Sequence, residues 1–503
     1  MERYIFSLDY GTQSVRGMVF DPQGHLLWKK RAAMPHYDRP MPDRAEIDPQ
    51  EYKKLTIWLC RVMREEAPDL FRKIGGVCLA CMRDCLTVVD AEGNALRPLI
   101  LWLDQRRTDT VRPANPLLRA GAGLVGAGTL IREASQVGYT NYLRDQEPQI
   151  WEKADKFVFL SGYLHRWLLG RFLDCTANQP GHVPFDSSRQ QWSDWRDIKY
   201  YVFPVEKEKL VPLVQPGTVM GNLCAQALAD TGLPEDVKVI ACASDKACET
   251  LGAGCADDKE AVLSFGSQAT VQTMSQRYYE LQMFVPSFPA AIPNYWNPEL
   301  QVYRGYWMIQ WFLKEMENAS VQQLEHPEET FDEYLRRTPP GNDGLVLYPY
   351  WGASAKYPVS SGTIMGFKDY HGKAHLYRAI IEGINYTLRW AVEKMEQKKK
   401  SPVERLKVTG GGALSDVICQ LTADMFGRQA IRMETTDTTS LGAAILGYVA
   451  LGIYPDYQSA AAQMVRPGRI FEPDPENVKR FNQLYPQYQQ DLERRIHFNV
   501  KRG

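Results

Sequence analysis

Asp9, Gly11, Thr12, Gln13, Ser14 and Arg16 crowd one polar interruption of an apolar run near the start of the chain, YIFSLDYGTQSVRGMVF. Each brings something that a phosphate or a metal ion needs. Glycine at a bend lets backbone N–H groups approach an anion. Thr12 and Ser14 add hydroxyl donors, Arg16 a fixed positive charge, and the Asp9 carboxylate can hold a cation. The same letters also spell an ordinary Gly-Thr hairpin turn. A second acid stands in a comparable place: the apolar run 237–243 (VKVIACA) ends at Ser244-Asp245-Lys246, and a small-residue helix with Ala247, Cys248, Leu251 and Gly252 follows. An acid beyond a buried strand is where open α/β sheets place chemistry. A helix N-cap is the plainer role for Ser244 or Asp245, and it is compatible with catalysis.

Three further stretches carry polar residues where apolar ones would be cheaper. Arg83-Asp84 sits inside IGGVCLACMRDCLTVV, either as a salt bridge at a surface hairpin or as a pair that grips hydroxyl groups. The run 99–104 reads as a strand ending in Trp102 and an acid. At 260–271 the opening pattern returns, apolar run, then Gly266-Ser267, then apolar run, about 250 residues after its first occurrence. Two such hairpins, each heading a long segment, suggest a duplicated domain holding a nucleotide between its copies. Gly410, Gly411, Gly412 and Ala413 then join a strand to a helix, where bare backbone can lie against a planar or anionic ligand. The G-x-G-x-x-G at 121–126 is a different matter. A dinucleotide site needs a strand leading into the glycines, and the approach here is Arg112-Pro113-Ala114-Asn115-Pro116, which rules out a central strand.

The elements that must position these residues follow from periodicity. The first segment is a hairpin with a second turn at Asp21-Pro22-Gln23-Gly24. Helices are expected over 49–66, 140–169, 307–316, 374–395, 416–426, 440–451 and 475–497, with strands over 74–89, 344–350 and 406–409. The segment 174–185 reads as a loop and strand whose Asp174, Thr176, Asn178 and Gln179 can line a cleft.

At 503 residues the chain exceeds one hydrophobic core, so two large domains are expected. A formal net charge of −1 argues against nucleic acid or membrane surfaces as partners. No apolar run is long enough to span a bilayer, and no signal peptide precedes the first strand. Ten cysteines in a chain of this size point to reduced thiols and a cytoplasmic setting. Cys78, Cys81 and Cys85 spell C-x-x-C-x-x-x-C but lack a second pair or a His partner, which favours buried thiols over a metal site.

Together these segments resemble the FGGY family of carbohydrate kinases. DYGTQSVRGMVFD is similar to the family's first phosphate motif, ASDKACETLGAG to its catalytic segment and LSFGSQATV to its second phosphate motif. TGGGALSDVICQLTADMFG and TTSLGAAILGYVALGIY are similar to its adenosine region and C-terminal signature. The resemblance implies an α/β, duplicated actin-like (ribonuclease-H-like) ATPase fold of two domains with a central cleft. The partition would be 1–250, 251–470 and a C-terminal helix over 471–503. It implies ATP-dependent phosphorylation of a sugar or polyol hydroxyl: Asp245 as base, Asp9 on Mg2+, Gly11, Thr12, Gln13, Ser14, Arg16, Gly266 and Ser267 at phosphates, and Gly411, Gly412 and Ala413 against the adenosine. Arg83, Asp84 and Trp102 fall where glycerol kinases place an Arg-Glu pair and a substrate-facing Trp. Arg16 would act catalytically, on transition-state charge.

The acceptor implied is a short ketose or polyol such as xylulose, ribulose, glycerol or a tetritol, and homodimers are common in the family. Two other readings stay open: an actin- or chaperone-like ATPase, and a kinase for an acidic sugar. The second is prompted by Lys246, which stands where the family usually has Asn, Gln or Thr. The family's Pro-x-x-x-Lys-x-x-Trp stretch is not recognisable near 136–143, and the loop following Tyr350 is short.

Overall fold

In the computed structural model, residues 3–41, 43–109, 128–281, 285–302, 304–350 and 362–500 are described, without the side chains of 129, 130 and 492–500. The glycine-rich stretch 121–126 and the loop 351–361 lie outside the described residues.

The chain opens with β1 (Tyr4–Tyr10), β2 (Ser14–Phe20) and β3 (Leu26–Ala33), followed by helix α1 (Gln50–Glu66) and β4 (Ile74–Cys81). Every residue of β1 and β4 is buried, so β4 reads as a continuous apolar run rather than an alternating one, and β1 does so apart from Ser7 and Asp9. Next come β5 (Leu86–Val89), β6 (Leu99–Ile100), β7 (Lys156–Phe159) and α2 (Leu160–Leu169), then β8 (Val219–Asn222), β9 (Lys238–Ile240) and α3 (Asp245–Gly252). The main sheet has the order β8-β9-β4-β1-β2-β3, with β9, β4 and β1 parallel and the other neighbours antiparallel.

The later part repeats this plan. Strands β10 (Glu260–Phe265), β11 (Ala269–Thr273) and β12 (Glu299–Val302) precede the long helix α4 (Lys373–Lys399). Then follow β13 (Arg405–Thr409), α5 (Asp416–Phe426), β14 (Ala430–Met433), α6 (Thr438–Ala450), β15 (Pro467–Phe471) and α7 (Pro475–Val500). Its sheet runs β12-β11-β10-β13-β14-β15, again with three parallel strands in the middle and antiparallel neighbours outside them. Five strands correspond in order and direction, β1, β2, β3, β4 and β9 to β10, β11, β12, β13 and β14; the sixth differs, β8 preceding β9 in the chain and β15 following β14.

The chain forms two compact units, residues 1–254 with 285–296 and 437–465, and residues 255–284 with 297–436 and 466–503. Besides placing 285–296 in the first unit, this division departs from the linear partition at 250/251 and 470/471 in two stretches. Helix α6 and its flanks join the first unit, and β15 joins α7 in the second. Glycine explains the first case: a Cβ on Gly252 of α3 would lie 1.8 Å from the Thr438 carbonyl oxygen, and one on Gly442 of α6 would lie 1.9 Å from that of Cys248. The two helices cross backbone to backbone, a contact only glycine permits.

Three local expectations are corrected. The run 74–89 is not one hairpin, because β4 joins the main sheet while β5 pairs with β6 and β7 in a second sheet, so Arg83-Asp84 lies on a crossover between sheets. The strand expected over 99–104 stops at Ile100: the Asp104 carboxylate accepts from the Ala45 backbone N–H (2.8 Å) and from Arg106 Nε (2.7 Å), turning the chain at Trp102. The helix expected over 140–169 is broken by β7, whose Phe157 and Phe159 pack into an aromatic core with Phe203.

Candidate active site

In the first unit the parallel strands β1, β4 and β9 deliver their C-terminal ends side by side. Asp9 pairs in register with Ala80 of β4, and beyond the last regular pairs a further parallel bridge joins Cys81 to Ser244. That bridge sets the start of α3 against the end of β4. Ser244 caps the helix, its hydroxyl accepting from the Ala247 N–H at 3.4 Å, and its own N–H donates to Ala177. Asp245 is the first helical residue, and its carboxylate accepts from the Lys246 N–H at 2.7 Å. The capping reading is met by Ser244, and Asp245 stands beside it at the helix start.

Asp9 faces Arg16 across the β1–β2 hairpin, with Arg16 Nη1 3.1 Å from Asp9 Oδ2. Burial pushes the Asp9 carboxyl up to about 6; Arg16 opposes this, while Asp245, Glu249 and Asp437 add to it. Burial also raises Asp245, against the pull of Lys246 and Arg83. Glu249, one turn along α3 from Asp245 and 7% exposed, is held by Lys246 Nζ at 2.7 Å. Asp437 is held by Lys29 Nζ at 2.6 Å.

At the bend the Gly11 N–H donates to the Ser14 carbonyl, and Gln13 takes the Met34 N–H. Trp102 Nε1 donates to Thr12 Oγ1 at 2.9 Å, and Thr12 Oγ1 lies 3.1 Å from Met82 Sδ. The turn carrying Trp102 is thereby tied to the glycine bend. Asp84 sits at φ 60°, with Oδ1 3.3 Å from His182 Nε2. The Arg83 guanidinium lies over the Phe288 ring at 3.7 Å. Asp9, Thr12, Arg16, Arg83, Asp84, Trp102, Asp245 and Lys246 therefore all belong to the first unit, at or just beyond these strand ends.

In the second unit, Gly266 and Ser267 form the β10–β11 bend, their carbonyls accepting from the Tyr306 and Trp307 N–H groups. Gly410, at φ 82°, turns the chain out of β13, and a Cβ there would lie 2.8 Å from the Phe265 carbonyl carbon. A Cβ on Gly412 would lie 2.3 Å from the Tyr306 ring, whereas Gly411 faces open space. Ala413 is buried, with its carbonyl accepting from Arg432 Nη1 at 3.3 Å. The glycines here are required by close approach of Phe265 and Tyr306, and Gly411 leaves the bare surface.

Sequence reasoning missed Met82, His182, Glu249, Phe288 and Asp437. Glu249 had a signal: it is four residues beyond Asp245 on one helix, hence on the same face. The others are brought in by tertiary structure alone.

All ten cysteines are free, and among the described residues no group of three or more His, Cys, Asp or Glu side chains is placed to hold a metal. No helix among them is long and apolar enough to cross a membrane.

Two sheets that share a five-strand topology, each with a glycine–hydroxyl hairpin at the same position, define the duplicated actin-like ATPase fold. Residues 4–252 match the N-terminal domain and residues 261–451 the C-terminal domain of the FGGY family of carbohydrate kinases. The chain belongs to that family, and so is an ATP-dependent phosphotransferase with an alcohol group as acceptor. It is 28% identical over 100% of its length, and 96% of the relative's, to a protein of Escherichia coli K12 described as an uncharacterized sugar kinase, YgcE. It is 25% identical to the xylulose kinase of Lactococcus lactis, with 97% of this chain and 96% of that one covered. Among solved structures, a gluconate kinase from Lactobacillus acidophilus superposes with a TM-score of 0.83 at 20% identity, covering 100% of both chains.

Proposed function

We propose that this kinase phosphorylates a hydroxyl of a short, neutral ketose or polyol, a pentulose such as xylulose or ribulose, glycerol or a tetritol, with Asp245 as the base. The observation that carries the neutral acceptor is the Lys246–Glu249 ion pair. The cation that departs from the family pattern is matched by a buried carboxylate 2.7 Å away, so a substrate carboxylate would have to displace it. The relation to a xylulose kinase supports the same acceptor class.

Asp245 orients the acceptor hydroxyl and takes its proton as the phosphoryl group arrives; a carboxylate raised by burial is a stronger base than one in water. Arg83, Asp84 and Trp102 hold the acceptor's other hydroxyls and ring or chain face, and Lys246 keeps Glu249 from opposing ionisation of Asp245. Gly11, Thr12, Gln13 and Ser14 contact nucleotide phosphates, and so do Gly266 and Ser267. Arg16 neutralises charge on the transferring group, and Gly411, Gly412 and Ala413 lie against the adenosine.

Mg2+ fits Asp9. A buried carboxylate raised by three other carboxylates, with one guanidinium in opposition, is short of positive charge. Magnesium is commonly bound by one or two carboxylates together with substrate phosphates rather than by a full set of protein ligands. When bound, it would neutralise the triphosphate's charge. Free thiols throughout are in keeping with a cytoplasmic enzyme.

ADP formation from Mg-ATP with D-xylulose, D-ribulose, glycerol, erythritol and gluconate tests the reading. A neutral acceptor should be fastest. Gluconate as the best acceptor would overturn the neutral class, and no stimulation by any of them would overturn the acceptor range.

A further inference from the structure

The Thr12 hydroxyl is committed on both sides. Trp102 Nε1–H donates into its oxygen at 2.9 Å, and Met82 Sδ lies 3.1 Å away where it takes the hydroxyl proton. An indole N–H can only donate, a thioether sulfur can only accept, and a hydroxyl has one proton to give. The direction of the Thr12 O–H is therefore set by its neighbours rather than left to rotate. The three residues come from three places: Thr12 from the β1–β2 bend, Met82 from the end of β4, and Trp102 from the turn held by Asp104 and Arg106.

We propose that Met82 and Trp102 are positioning residues that act through Thr12, holding its O–H in a hydrogen bond to sulfur until a phosphate oxygen accepts that hydrogen bond instead. This rests on Thr12 contacting a nucleotide phosphate, as proposed above. Sulfur is a weak acceptor and an ionised phosphate oxygen a strong one, so transfer of the hydrogen bond is downhill. The Trp102 N–H stays on the Thr12 oxygen throughout and keeps the proton directed outward. The phosphate bend and the turn presented to the acceptor thus share one hydroxyl, and a displacement of the Trp102 ring is felt at the phosphate.

Calorimetric titration of the full-length protein with Mg2+ and the β,γ-imido analogue of ATP tests this. Met82→Leu removes the competing acceptor and should tighten binding by about two- to tenfold, the range for one hydrogen bond. Trp102→Phe keeps a ring but loses the donor and should weaken binding by a similar factor. Thr12→Val should weaken binding and abolish both effects, whereas Thr12→Ser, which keeps the hydroxyl, should preserve them. If Thr12→Val binds the analogue weakly but Met82→Leu and Trp102→Phe still shift affinity in its background, the relay is overturned while the phosphate role stands. If Thr12→Val binds like the parent protein, the phosphate role falls and the relay with it.

Discussion

Arg16 Nη1 lies 3.1 Å from Asp9 Oδ2, and the two residues are register partners across the first hairpin. Arg16 is thus the counter-charge of the same carboxylate that Asp245, Glu249 and Asp437 push up. With its carboxyl raised to about 6, Asp9 contributes to stability fully below its unfolded value near 3.8 and loses that contribution as pH rises through about 6. Cation binding at Asp9, as proposed above, would have the opposite sign, because it would need the carboxylate. Affinity for Mg2+ with ADP should fall as pH drops below about 6, approaching about tenfold per unit for a single proton. Asp9→Asn should flatten that dependence, weaken binding at pH 7.5 and raise the melting temperature of the ligand-free protein. Calorimetry across pH 5–8 with thermal melts checks all three.

Asp245→Asn keeps the shape but removes the proposed base. Turnover should fall by about 10²–10⁴-fold, the usual worth of a general base, with nucleotide affinity kept within a few-fold. A mutant of near-normal turnover would take Asp245 out of the mechanism. Arg16→Gln should lower kcat more than it raises the sugar KM, because its charge is needed mainly as the phosphoryl group moves.

Lys246 lowers the Asp245 carboxyl and Glu249 raises it. Lys246→Gln should therefore shift the acidic limb of the pH–kcat profile to higher pH, and Glu249→Gln should shift it lower. If Lys246 serves Glu249 rather than the acceptor, the ranking of acceptors should not change. A selective loss of gluconate turnover in Lys246→Gln would assign the lysine to an acidic substrate instead.

Gly252→Ala sets two effects against each other. Alanine is the better helix former, by about 1 kcal/mol in an interior and less at Gly252, the last residue of α3, but its Cβ would sit 1.8 Å from the Thr438 carbonyl oxygen. That obstacle is backbone and cannot rotate away, so overpacking, typically about 1–3 kcal/mol, should win. Denaturant unfolding should show a net loss of stability, and kcat should fall because α3 carries Asp245.

Much of this was legible in the sequence because local chemistry and tertiary role coincide. The Gly11 bend, the second bend at Gly266 and the Ser244 cap are each specified by residues a few positions apart. The buried strands read correctly because burial on both faces leaves a continuous apolar run. What was hidden depends on partners remote in sequence. Nothing in IGGVCLACMRDCLTVV says that its two strands enter different sheets. Trp102 reads as strand because the side chain that turns it, Asp104, is engaged by Ala45 and Arg106. The Lys246–Glu249 pair is the exception, since the two lie three residues apart on one helix and were within reach of the sequence. The glycines of α3 and α6 read as small-residue helices, and their purpose shows only once the helices meet.

That meeting bears on how the protein is made. Helix α6 packs on β1 and α3, yet it is synthesised about 200 residues after α3. At ordinary rates of synthesis that delay is on the order of ten seconds or more. During it, the strands bearing Asp9 and Asp245 must wait with an apolar face uncovered, so a nascent chain stalled short of residue 437 should be a good chaperone client, and a fragment ending at Gly254 a poor kinase scaffold.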